Sequence, residues 1–372
     1  MPNQPPTDPF ANNDQPNFIQ PQMNNAVANV GDAGFSGSGA PNMIGDFFGT
    51  FSVPYSPVGG GSFPLSSPHF TGNLASAPGG NVGRLKLTEN ASLIPTNRYF
   101  VNYSYFNDIN GNDGFDVNRV TPGFETTFLN DNMSLEFRFP FADTVSSTQT
   151  AARASYSQGE FGNMSVWWKA LLARNSQYAV STGLGLTLPT ADDYLITDGG
   201  TALTVDNQSV HLLPFIGVQV RPDDRWFAQG MLQLDIDANG NPVAFGALGT
   251  PYAGAGRPND NTYLFVDMSV GYWVYKSGAR DSAVQGIAPI VEIHHNTTLD
   301  NGQGLNQNGF TQAAPGGTSV TNVVVGVTTQ MNGNKWITLG YTTPIGNDRQ
   351  FDGELRLLLN WTPGGTGNTF LR

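Results

Sequence analysis

Two short stretches of the sequence set side chains at spacings that chemistry uses. Asp235-Ile-Asp237-Ala-Asn239-Gly240 has the D-x-D-x-N-G opening of a calcium loop. Oxygens at alternate positions can surround a hard cation, and the glycine permits the sharp turn. The twelfth position is Gly246, where the bidentate Glu should stand. The run therefore predicts a strand end followed by an Asn-Gly turn, with a structural calcium on Asp235, Asp237 and Asn239 as the alternative. A related run, Asp108-Ile-Asn110-Gly-Asn112-Asp113, fails earlier, with Asp where Gly belongs. The second stretch, Glu292-Ile-His294-His295, offers metal ligands or a general base. On a strand Glu292 and His294 share a face while His295 points the other way, so three-ligand geometry fails within one strand. There are four histidines and no cysteine, hence no thiolate and no disulfide. No G-x-S-x-G elbow, phosphate loop or dinucleotide fingerprint occurs, and the expectation is a protein that is not an enzyme and needs no cofactor.

A third set of residues recurs at alternate positions: Arg119, Glu125, Glu136, Arg138, Lys169, Asp235, Asp267, Glu292, His294, Asp352, Glu354 and Arg356. Opposed acids and bases along one wall of a pore create a transverse field that selects small polar solutes. The bland alternative is that they pair off and hold the wall together.

What must position them is a sheet. Charged residues make up only 12% of the 372-residue chain, about half the usual share, and Asn, Gln, Ser, Thr and Gly replace them. A net charge of −12 argues against nucleic acid. No run of about 18 apolar residues exists, so no helix is expected to span a membrane. Twelve alternating segments are legible, at 97–108, 116–129, 132–142, 162–173, 177–188, 209–221, 225–237, 262–276, 285–298, 318–331, 335–344 and 350–361. In segment three Met133, Leu135, Phe137, Phe139 and Phe141 oppose Ser134, Glu136 and Arg138; segments six, seven and eight divide likewise.

Connection lengths decide which environment the apolar face meets. Tight turns fall around Asn130-Asp131, Asn175-Ser176, 221–224, 278–281 and 332–334, whereas 143–161, 189–208, 238–261 and 299–317 on the other side are long, with shorter connections there near 109–115 and 345–349. Short on one side and long on the other is the loop pattern of an outer-membrane barrel. Tyr99, Trp168, Tyr178, Trp226, Tyr272, Tyr341 and Trp361 bunch toward segment ends, as in interfacial girdles. The predicted fold is all-β, a closed antiparallel transmembrane barrel of about twelve strands over residues 81–363. Residues 1–80, rich in Pro, Asn, Gly and Ser, predict an extended arm acting as plug or inter-subunit strap. Residues 364–372 form a C-terminal tail. In FDGELRLLLNW (351–361) the odd residues are assigned to lipid and the even ones to the lumen. Met1 is followed by PNQPPTDPF, which is no leader; an exported chain would have lost one, and otherwise the protein is cytosolic.

Four phrases, GSGAPNMIGDFF (37–48), RLKLTENASLIPTNRYFVNYSYF (84–106), WFAQGMLQLDIDANGNPV (226–243) and APIVEIHHNTTL (288–299), resemble porin-like outer-membrane proteins of planctomycete-type bacteria. GLGLTLPTADD (183–193) resembles barrels associated with aromatic-compound uptake. The resemblance implies a transporter or porin in general terms. An outer-membrane phospholipase, the enzymatic form of a twelve-strand barrel, would need a lipid-facing Ser–His pair, and no serine is an obvious partner for His295. The functional expectation is a bacterial outer-membrane porin-like channel for passive diffusion of small polar solutes through a narrow charged lumen. The alternative is a structural barrel, sealed by its arm, in an envelope or cell-surface assembly. The expected partners are membrane lipid, small polar solutes and copies of the chain in a homo-oligomer or larger assembly.

Overall fold

The structure, a computed structural model, describes residues 40–47, 82, 84–109, 115–143, 148–150, 159–198, 201–277, 279, 281–307, 310–312, 314, 316–332, 334–346 and 348–363. Most of the proposed arm, residues 1–39 and 48–80, and the tail beyond Pro363 lie outside them.

Twelve strands form the wall: β1 (Arg98–Ile109), β2 (Phe115–Phe128), β3 (Met133–Arg138), β4 (Ser165–Arg174), β5 (Tyr178–Thr187), β6 (His211–Val220), β7 (Trp226–Asp237), β8 (Tyr263–Tyr272), β9 (Val284–Thr298), β10 (Ser319–Met331), β11 (Lys335–Ile345) and β12 (Gly353–Trp361). Each pairs antiparallel with its neighbours in sequence, and β12 returns to β1 in register Tyr99 with Trp361 through Asn107 with Gly353. Closure leaves no sheet edge, which hydrocarbon would leave unpaired. The β2–β3 turn shows why the connection is tight: Leu129, Asn130 and Asp131 all take positive φ, a region where Asn and Asp are tolerated.

Two expectations about strand extent change. Segment three breaks after Arg138, because Pro140 has no N–H for the ladder, and Phe141–Ala142 pairs separately with β2. Segment eight breaks after Tyr272, where Trp273 turns its ring inward, and resumes as Tyr275–Lys276 paired with β9. The long loops also form strands that local periodicity did not reveal. Thr148–Thr150, Tyr194–Asp198, Thr201–Val205, Val243–Ala247 and Ala253–Gly256 make a small sheet at the loop end. Its core joins Tyr194, Leu203, Val205, Val243, Ala255 and Leu305.

The partition of side chains is inverted relative to a water-soluble sandwich. Val101, Ile216, Leu232, Met268, Ile293, Val325, Leu339 and Leu359 are exposed, while Glu136, Arg138, Lys169, Asp267, His294 and Arg356 are fully buried. Water-soluble monomers rarely expose a contiguous apolar face of this extent, and a lipid-facing belt requires one. Tyr99 packs on Trp361 and Trp226 on Tyr272 at the turn end, ring centroids 5.9 and 4.8 Å apart. Tyr341 and Trp168 are exposed nearer the loop end. These aromatics lie where a bilayer's interfaces would meet the wall.

The lumen holds a second structure. Residues 40–47 run from the turn end, where Ala40 joins Phe227 and Trp273, to the loop end, where Phe47 joins Phe106, Phe351 and Val82. Residues 84–96 return antiparallel to them, with the Met43 N–H donating to the Ala91 carbonyl at 3.2 Å. Gly45 sits at φ +77°, and a Cβ there would lie 2.6 Å from the Thr88 carbonyl oxygen, so glycine lets the two passes touch. The strand ladder begins only at Arg98, which assigns residues 84–96 to the filling and not to the wall.

Candidate functional site

Alternation along each strand turns every second side chain into the lumen, where the two antiparallel passes 40–47 and 84–96, together called the hairpin, meet it. Near the loop end Arg84 reaches Asp235 at 3.0 Å and Asp260 at 2.7 Å, and His211 lies 2.6 Å from Asp235. At mid-height the Lys86 ammonium donates to Asp46 (2.5 Å), Asp267 (2.7 Å) and Asn296 (2.8 Å). Asp46 and Lys86 both belong to the hairpin, whereas Asp267 and Asn296 belong to β8 and β9. Asn322 on β10 donates to Asp46 as well, at 2.7 Å. Across the lumen Arg119 and Arg356 both meet Glu89 of the hairpin. Toward the turns, Arg98 bridges Glu125 (2.8 Å) and Glu136 (2.9 Å), and Lys169 bridges the same two carboxylates at 2.7 and 2.9 Å.

The wall also grips the hairpin backbone. Glu292 accepts the N–H groups of Ile44 and Gly45 at 2.9 and 2.8 Å, and Arg356 donates to the Ile44 carbonyl at 3.2 Å. Arg138 donates to the carbonyls of Lys86 and Leu87, Gln233 accepts the Leu87 N–H, and Lys169 donates to the Ser92 carbonyl. Apolar contacts are seated in notches made by glycine. Ile44 lies against Gly326 of β10 and Gly340 of β11, where a Cβ on Gly340 would come within 2.7 Å of Ile44 Cγ2. Leu93 fills the space a Cβ on Gly217 would take.

Of the twelve residues expected to line a pore, eleven are in the lumen: Arg119, Glu125, Glu136, Arg138, Lys169, Asp235, Asp267, Glu292, His294, Glu354 and Arg356 are all buried. Asp352 is corrected. It precedes the first residue of β12, is over a third exposed, and pairs with Arg349 at 2.9 Å in the β11–β12 loop. Phe351, assigned to lipid, instead turns into the Phe47 cluster. The alternation that placed both residues starts only where strand pairing starts.

The calcium reading meets a set of side chains already committed elsewhere. Asp235 holds Arg84 and His211, Asp237 accepts the Asn239 and Gly240 N–H groups at 3.1 and 2.8 Å, and Asn239 accepts the Val210 N–H at 2.8 Å. Asp237 and Asn239 thus build the Asn-Gly turn. Asp46, Asp267 and His294 do converge as metal ligands would, yet the Lys86 ammonium bonds to both carboxylates. A fixed protein cation holds the place that a metal ion would need. His294 lies 2.6 Å from Asp267 and 3.0 Å from Glu292, which completes a polar chain across β8 and β9. His295 faces outward and shares a hydrogen bond with the Thr321 hydroxyl (2.9 Å).

Several partners went unread in the sequence. Arg98, Asn102, Asn296 and Asn360 follow the inward phase of their strands and could have been found by extending it. Arg84, Lys86 and Glu89 lie in the stretch read as the start of the barrel, where Arg84-Leu-Lys86-Leu-Thr88 alternates as a wall strand would.

No protein-family description matches the chain, and no curated protein matches it. The resemblance to planctomycete-type porins thus gains no support from these comparisons. Solved structures similar to it are barrels. An outer-membrane channel from Pseudomonas putida F1 aligns at 11% identity and TM-score 0.49, covering 73% of this chain and 96% of that one. The NanC porin aligns at 8% and 0.41, covering 70% and 97%. The Pseudomonas putida toluene transporter TodX aligns at 10% and 0.38, covering 84% and 99%.

Proposed function

We propose that the protein is a porin-like channel of the bacterial outer membrane, for small polar solutes, whose resting state is closed by its own N-terminal hairpin. The observation that carries this reading is that the lumen is filled by a separate segment and not by the side chains of the wall alone. A barrel built only as a scaffold can fill itself from its strands, as eight-stranded barrels do. Here Gly217, Gly326 and Gly340 leave notches in the wall, and hairpin side chains occupy them. Wall acids and bases are left to be neutralised by Arg84, Lys86 and Glu89. Every hairpin–wall contact named above is a hydrogen bond, ion pair or apolar contact, so the filling can leave without breaking the barrel ladder. An emptied lumen would present Asp235, Asp267 and Glu292 on β7–β9 opposite Arg119 and Arg356, the transverse field that orients dipolar solutes.

Ile44→Trp, too large for the two-glycine notch, is expected to convert a mostly closed protein into one with steady conductance in planar bilayers. Gly340→Ala should do the same from the wall side, and Ile44→Ala added to Gly340→Ala should restore closure by returning the lost space. A sealed scaffold predicts no steady open level in either single variant, and that result would reject the channel.

A further inference from the structure

The two hairpin cations that meet β7–β9 are held in the same way. The Arg84 guanidinium pairs with Asp235 at 3.0 Å and Asp260 at 2.7 Å, and lies 4.3 Å from the centroid of the Tyr263 ring. The Lys86 ammonium meets Asp267 at 2.7 Å and Asn296 at 2.8 Å, and lies 5.0 Å from the centroid of the Phe265 ring. Each is a station of carboxylate plus aromatic face, built by the wall and filled by the chain itself. Tyr263 and Phe265 are successive inward residues of β8, both buried, with nearly parallel rings whose centroids are 6.2 Å apart. Asp267 is the next inward residue, and its second carboxylate oxygen is buried without a hydrogen-bond partner among the described residues.

From this geometry we propose that the β7–β9 side of the lumen is a binding track for organic dications, and that solutes carrying two guanidinium or ammonium groups about 7 Å apart are the class the open channel takes. The inference rests on the channel reading above and narrows it. When the hairpin leaves, it takes Arg84, Lys86 and Asp46 with it, while Asp235, Asp260 and Asp267 stay behind without their cations. Carboxylates confined in a narrow lumen favour a replacement counter-charge. The rings decide which cation that is. A ring face attracts a guanidinium or an alkylammonium, whose weaker hydration lets it approach carbon. A small hard cation such as Mg²⁺ keeps its water and asks for oxygen ligands on every side. An anionic solute would meet three carboxylates along the same track. Arg84 and Lys86 are on this account tethered occupants of the solute's own stations. Tethering gives them a high effective concentration, so free dications compete only when the hairpin has left.

The test uses the full-length chain carrying Ile44→Trp, with Gly340→Ala as a second route to the emptied lumen. Agmatine, a guanidinium and an ammonium joined by a butyl chain, is added to open channels in bilayers, alongside butylammonium, Mg²⁺ and succinate. Agmatine should interrupt current at a concentration at least tenfold below butylammonium, which fills one station, and tenfold below Mg²⁺, which carries the same charge. Succinate should not block. Phe265→Leu should weaken agmatine block several-fold and leave block by Mg²⁺ unchanged, a separation that a merely structural role of the ring would not produce. Equal block by agmatine and butylammonium overturns the paired stations, and block by Mg²⁺ at or below the agmatine concentration overturns the organic class; both results leave the channel standing. Absence of current in both variants overturns the channel. Calorimetric titration of agmatine into the detergent-solubilised variants then decides the track separately, and no binding there overturns it.

Discussion

Replacing Lys86 with Met is expected to raise the frequency of channel opening about 100-fold, the largest effect of any single change in the hairpin. The side chain keeps its length, but the ammonium that faces both Asp46 and Asp267 is gone. Both carboxylates stay fully buried, with Asn296, Asn322 and His294 as their remaining neighbours. Removing one partner of a buried ion pair costs about 3–5 kcal/mol, because the other charge is left uncompensated in a poorly solvating site. The cost falls on the closed state alone, since a departed hairpin carries Asp46 into water and opens Asp267 to it. At about 1.4 kcal/mol per factor of ten, 3 kcal/mol shifts the closed–open balance by roughly two orders of magnitude. Single-channel recording measures this directly. Adding Asp46→Asn to Lys86→Met should recover part of the closure by removing one orphaned charge; an opening frequency unchanged by Lys86→Met would mean that the ion pair does not hold the hairpin.

The same cluster sets a pH window. Burial alone would push the Asp46 carboxyl up, but Lys86, His294 and Asn322 hold it well below the ordinary carboxylate range. Burial likewise opposes the charge on Lys86, yet Asp267 and Asp46 raise it above the ordinary lysine value. A lowered Asp46 stabilises the closed state fully above about pH 4 and less as pH falls further. A raised Lys86 stabilises it fully below about pH 10 and less as pH climbs past that. Closure by the Asp46–Lys86 pair should therefore hold from about pH 4 to 10 and weaken on either side.

The barrel was legible in the sequence because its rules are local. Two-residue alternation is fixed by strand geometry, and turns such as Asn130-Asp131 announce themselves by residues that accept positive φ. Asp352 shows the limit. Alternation runs unbroken through Phe351-Asp352-Gly353, yet the ladder begins only at Gly353, so the residue's side is set by the loop and not by the strand. The hairpin shows a deeper limit. Arg84-Leu-Lys86-Leu alternates as a wall strand does, because an extended segment lying between two sides of a lumen obeys the same geometry without joining the ladder. That Lys86 meets Asp267, 181 positions away, follows from closure of the whole barrel and from no local spacing. Lumen side chains were therefore readable as a set, while their pairing with the arm was not.

A positive charge in the middle of the outer belt distinguishes a lipid-facing wall from a water-facing one. Leu232 is the seventh of twelve residues in β7, is 48% exposed, and lies between Ile216 and Val266 on the neighbouring strands. On a protein surface in water, Leu232→Arg would touch nothing costly and change stability by about 0.5 kcal/mol at most. At a bilayer midplane the guanidinium must be carried into hydrocarbon or drag water and headgroups toward it, which costs about 2–4 kcal/mol. The cost should also depend on depth. Ile236→Arg, four residues nearer the loop end on the same face, is expected to cost about 1 kcal/mol or less. Denaturant unfolding of the two variants in lipid vesicles measures both values against wild type. A midplane cost several times the rim cost would point to hydrocarbon around β7, because the more exposed of the two positions, Leu232, would be the cheaper one in water. Equal and small costs at both positions would mean that the apolar belt faces water or another protein surface, and the channel would lose its membrane.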